Sequence, residues 1–159
     1  MKRAIAPTTL AVVFTTAFAL GIVPRALAGQ DKECSNATLR GSFGFTSTGT
    51  LLALPPPSAG PFAEIGRQTF DGNGNTDATA TLSANGNIKR VTVQGTYEVN
   101  PDCTGSMRLV VFPFNSTIDL DFVIDDDGAE LRALVTSTPS GNTESRVYTK
   151  QFSRGRKDQ

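Results

Sequence analysis

A chain without histidine must do any proton chemistry with carboxylates, amines, guanidinium groups or phenols, and this chain has none in 159 residues. The imidazole base, the Ser-His pair and the histidine-ligated metal site are removed together. Phe62–Phe70 best combines what remains. Alternation along an extended segment puts Phe62, Glu64, Gly66, Gln68 and Phe70 on one face, with Ala63, Ile65, Arg67 and Thr69 on the other. One charged residue therefore goes with whichever face is covered. Gly66 and Phe70 suit packing, which places Glu64 and Gln68 inward. A buried carboxylate has its pKa raised by desolvation and can act as acid or base, so Glu64 and Arg67 are the candidate catalytic residues. The plain alternative is a Glu64 that sits at a wet rim or pairs with an arginine.

Asp71-Gly72-Asn73-Gly74-Asn75-Thr76-Asp77 sets oxygen side chains at alternate positions, as calcium loops do, but lacks the closing bidentate glutamate. The same composition is what a glycine-rich hairpin turn requires, and the turn is the expected reading. No metal and no cofactor is expected. Asn36-Ala37-Thr38 and Asn115-Ser116-Thr117 fit the glycosylation pattern.

The elements that must position these residues follow an export segment. Met1-Lys2-Arg3 is basic, Leu10 to Val23 is mostly apolar, and Ala26-Leu27-Ala28 is a small-x-small cleavage site. Residues 1–28 are expected to be a signal peptide, and the product to be periplasmic or extracellular. Fourteen diluted apolar residues are short for a bilayer span. The remaining 131 residues carry 12 basic and 15 acidic side chains, a net charge of −3. That is no nucleic-acid footprint. Arg154, Arg156 and Lys157 belong to a frayed tail, 153–159. Cys34 and Cys103, in an oxidising compartment, are expected to form a disulfide closing a 69-residue loop, worth roughly 4 kcal/mol in the chain-entropy account.

Residues 29–152 read as one all-β domain. Eight strands are predicted near Leu39–Thr48, Phe62–Phe70, Thr76–Ser83, Ile88–Val99, Ser106–Phe112, Thr117–Ile124, Ala129–Thr138 and Glu144–Phe152. Asn85-Gly86 and Asp127-Gly128 suit two-residue turns with positive φ. Gly105 permits left-handed geometry in the turn that begins at Asn100-Pro101. Leu54 to Pro61, with three consecutive prolines, is a stiff loop. In the fourth, sixth and seventh strands one face is apolar and the other polar, the reverse of an outer-membrane barrel with its apolar outer band. No membrane insertion is expected after signal cleavage.

Short links between sequential strands predict an eight-stranded antiparallel up-and-down barrel, with a β-sandwich as the alternative. Strand parity puts Cys34 at the same end as the link holding Cys103. The links 2–3, 4–5 and 6–7 share that end and make it acidic. The opposite end carries the proline-rich loop, so an open mouth belongs there with residues 54–61 as a lid.

Gly41-Ser42-Phe43-Gly44-Phe45, Phe70-Asp71-Gly72-Asn73-Gly74-Asn75 and Gly95-Thr96-Tyr97-Glu98-Val99-Asn100-Pro101-Asp102-Cys103-Thr104-Gly105 together resemble a group of small secreted bacterial proteins. The resemblance runs from about Cys34 to Gln151. It implies a calycin-like barrel similar to allene oxide cyclase and the lipocalins. The Gly-x-Trp signature of lipocalins is missing, and no cyclase catalytic residue falls on a matching position. A fold alone does not license a reaction.

Three functions remain in view. The first is a binding barrel that takes a small apolar molecule, with Phe43, Phe45, Gln68, Tyr97 and Phe122 as candidate ligand residues. The second is a cyclase or isomerase helped by Glu64 or Arg67. The third is an extracellular structural or interaction module, for which a solid core and an exposed apolar patch would speak.

Overall fold

The computed structural model describes residues 33–56 and 58–151. The predicted signal segment and the basic tail lie outside the described residues. Eight antiparallel strands close into a barrel in sequence order: β1 (Gly41–Leu51), β2 (Gly60–Phe70), β3 (Asn75–Ala84), β4 (Asn87–Val99), β5 (Thr104–Phe112), β6 (Ser116–Asp125), β7 (Glu130–Ser137) and β8 (Asn142–Lys150). β1 pairs with β8, so no edge is left open and the sandwich alternative is set aside. Among the described residues no helix is long and apolar enough to cross a membrane.

The turns form for the expected reasons, with two exceptions beyond the 6–7 link. Asn85 and Gly86 take φ of 47° and 87° in a two-residue turn. Asp127 and Gly128 also take positive φ, 53° and 86°, but in a link of residues 126–129 whose Asp126–Gly128 is a 3-10 turn, not in the two-residue turn expected. In the 4–5 turn, however, the left-handed residue is Cys103 (φ 66°), not Gly105. Gly105 lies in β5, where a Cβ would stand 2.3 Å from the Phe122 ring and from the Glu98 carbonyl. Its missing side chain makes room for Phe122.

The second exception is the start of the domain. Leu39 belongs to a single 3-10 turn, Asn36–Leu39, and β1 begins only at Gly41. Thr38 Oγ1 accepts from Ser35 N at 3.0 Å and Thr38 N donates to Ser35 O at 2.9 Å, local bonds that compete with a ladder. β2 also begins earlier than expected and takes in Pro61, opposite Thr50. Two bounds of β8 move as well, to Asn142 and Lys150.

The 3-10 turn plugs one end of the barrel. Leu39 is fully buried, Asn36 Oδ1 accepts from Val99 N at 2.8 Å, and the Tyr97 hydroxyl donates to Asn36 O at 3.0 Å. The Cys34–Cys103 disulfide lies at this end, with a Cα–Cα distance of 5.0 Å. Asp71 in the 2–3 link spends its oxygens on its own turn: Oδ1 accepts from Asn73 N and Asn75 N, and Oδ2 from Asn75 Nδ2. That is the turn chemistry expected of the segment.

Candidate functional site

The interior divides along the barrel axis. In the half nearer the disulfide, edge-to-face pairs Phe43–Phe70 (5.4 Å) and Phe70–Tyr97 (5.0 Å) join Phe45 and Tyr148 (5.2 Å), with Met107, Leu109, Leu120 and Leu131 buried around them. Side chains fill this half. In the other half a smaller cluster of Leu51, Phe62 and Ala84 surrounds empty space. The cavity there has a volume of about 380 Å³, near the lower end of ligand pockets. Leu51, Phe62, Leu82, Ala84, Val111 and Ile118 form its walls. Leu54 and Ser58 of the proline-rich loop border it, as do Phe114 and Pro139 from the 5–6 and 7–8 links. That loop is tied across the rim by Ala53 N donating to Ser140 O at 2.9 Å.

Glu64, Glu144 and Arg146 line the same cavity, and all three are buried. Register places them in one inward row, because Glu64 pairs with Ser47 on β1 and Ser47 pairs with Arg146 on β8. Glu144 is two residues before Arg146, on the same face of β8. Its Oε1 accepts from Arg146 Nε and from Ser47 Oγ, each at 2.6 Å, and its Oε2 accepts from Asn142 Nδ2 at 2.6 Å. Arg146 Nη2 stands 3.3 Å from Glu64 Oε2, and that buried oxygen accepts no hydrogen bond. The guanidinium also lies 5.5 Å from the centre of the Phe45 ring.

The electrostatics of the row follow from burial. Desolvation raises the Glu64 pKa; Arg146 pulls it back down and Glu144 adds to the rise. Burial works against the charge on Arg146, but Tyr148, Glu64 and Glu144 outweigh it and raise its pKa. Desolvation raises the pKa of fully buried Tyr148 as well. One guanidinium thus serves two carboxyl groups. Lys89 also borders the cavity, but at the exposed rim.

No protein-family model matches the chain, and no curated protein matches it.

Glu64 and Gln68 point inward as expected, but only Glu64 reaches the cavity. Gln68 is buried lower down, where its Nε2 donates to Thr76 Oγ1 at 2.9 Å. Arg67 lies exposed on the outer face and shares no site with Glu64. Phe43, Phe45, Tyr97 and Phe122 are buried, yet none of them lines the cavity. They pack into the barrel interior away from this cavity. The arginine that partners Glu64 is Arg146, which sequence reasoning missed together with Glu144. A signal was present: in Asn142–Lys150 the face that carries Tyr148 also carries Glu144 and Arg146, while Val147 falls on the opposite face.

Proposed function

We propose that this protein is an exported barrel that binds a small, mainly apolar molecule in its open half. The observation that carries the reading is the cavity of about 380 Å³, walled by aliphatic and aromatic side chains and bordered by a stiff proline-rich loop. Placement at one end, above a filled aromatic layer, sets the depth to which a ligand can enter. The disulfide fits a protein that works in an oxidising compartment, and the apolar segment 10–23 fits export. The calycin-like resemblance belongs to the same reading.

A neutral fluorescent probe, N-phenyl-1-naphthylamine, tests it. Saturable one-to-one enhancement is expected. Ala84→Phe, which places a ring in the cavity, is expected to abolish it with the far-ultraviolet circular dichroism spectrum unchanged. No saturable enhancement in the wild type, or full enhancement in Ala84→Phe, overturns the reading.

A second reading, a cyclase or isomerase, is favoured by one observation: a buried carboxylate with a raised pKa at the cavity, Glu64. Arg67 has no part in it, since it lies on the outer face. Its test is turnover lost in Glu64→Gln while probe binding is retained.

A further inference from the structure

The charged row specifies more than an apolar occupant. We propose that the cavity selects ligands whose apolar body ends in a protonated amine, held by Glu64, and disfavours carboxylates despite the buried arginine. This rests on the binding reading above and narrows its ligand class.

Three observations carry it. First, the guanidinium is already engaged. Arg146 Nε donates to Glu144 and Nη2 faces Glu64, so an entering carboxylate meets one cation shared by two resident anions. Inside a low-dielectric wall such like-charge crowding is costly, whereas an ammonium adds a second cation to a row of one guanidinium and two carboxyl groups. Second, acceptor capacity is unequal. Both oxygens of Glu144 are occupied by Ser47, Asn142 and Arg146, while Glu64 Oε2 accepts no hydrogen bond. Glu64 is the carboxylate with bonding left to offer, and a carboxylate–ammonium contact is among the stronger hydrogen bonds available. Third, the other cation bordering the cavity does not reverse the sign at this depth. Lys89 is exposed at the rim, where water and salt screen it, while Glu64, Glu144 and Arg146 are buried.

The geometry also sets the orientation. The walls at Leu51, Leu82 and Ile118 receive the hydrocarbon, and the head group reaches Glu64 rather than the mouth. A ligand held the other way up would meet Lys89 first and would prefer an anionic head.

Displacement of bound N-phenyl-1-naphthylamine by three eight-carbon compounds of matched length separates these cases. Octylamine is expected to displace the probe at concentrations about tenfold or more below those of octanoate and of 1-octanol, the scale of one hydrogen bond to a charged group. Glu64→Gln is expected to remove that preference while probe binding persists, and Lys89→Gln is expected to leave it. Octanoate or octanol equal to or better than octylamine overturns the inference and leaves the binding reading standing. A preference that survives Glu64→Gln or disappears in Lys89→Gln overturns it as well. Failure of the wild type to bind the probe at all removes the binding reading, and this inference with it.

Discussion

The two halves of this barrel obey one alternation rule and end up doing different work. Around the disulfide, inward positions carry Phe43, Phe70, Tyr97 and Tyr148, and their rings pack against one another across the axis. Toward the other end, inward positions carry small Ala84, polar Ser47 and the charged row, and a cavity opens. Closure of the sheet makes both halves similarly wide; side-chain volume decides which one is hollow. The filled half holds the larger core cluster, and the hollow half holds the cavity proposed as a site.

Breaking the charged row is expected to have the largest effect on this contrast. Arg146→Ala leaves Glu64 and Glu144 buried without their cation, and a loss of about 3–5 kcal/mol is expected from urea denaturation. The triple variant Glu64→Gln, Glu144→Gln, Arg146→Met should recover most of that loss, because no charge is then buried. A direct comparison of rings follows. Phe43→Ala in the filled half should cost roughly 3–5 kcal/mol. Phe62→Ala, whose ring borders empty space, should cost less than about 2 kcal/mol because its contacts are already incomplete. Equal losses would erase the distinction between the halves.

A pH series sharpens it further. Glu64 has a folded-state pKa above its ordinary value of 4.5, so the folded protein binds its proton more tightly than the unfolded chain does. Its contribution is fully present below about that ordinary value and is lost as pH rises through the raised one. The groups facing it are Arg146 and Glu144 from β8 and Ser47 from β1, with Lys89 of β4 at the rim. The stability of the wild type minus that of Glu64→Gln should therefore fall with rising pH across this window. A difference that is flat or rises contradicts it. A smaller effect belongs to the plug at the closed end. Tyr97→Phe removes the bond to Asn36 O and the acceptor for Gly72 N, and about 1 kcal/mol is expected in the same denaturation assay.

Much of this was legible in the residues themselves. Period-two hydrophobicity and turn chemistry locate the strands. Parity brings Cys34 to Cys103 and puts the mouth at the proline-rich end. Alternation, though, tells inside from outside and nothing about height along the axis. Phe43, Phe45, Tyr97 and Phe122 are therefore correctly inward yet lie away from the cavity, and only the inter-strand register reveals that. In β8 the hydrophobic pattern misleads, since Val147 is 43% exposed while Glu144 and Arg146 are buried. Tyr148, on the same face as those two, is the one apolar clue to which side turns inward.

The central claim, one filled half and one hollow half that receives a ligand, is tested most directly by methyl NMR during titration with N-phenyl-1-naphthylamine. Shifts are expected at the methyl groups of Leu51, Leu82, Val111 and Ile118, with those of Leu109, Leu120 and Leu131 unmoved. Shifts concentrated at the latter three, or at neither set while the probe binds, would contradict the account.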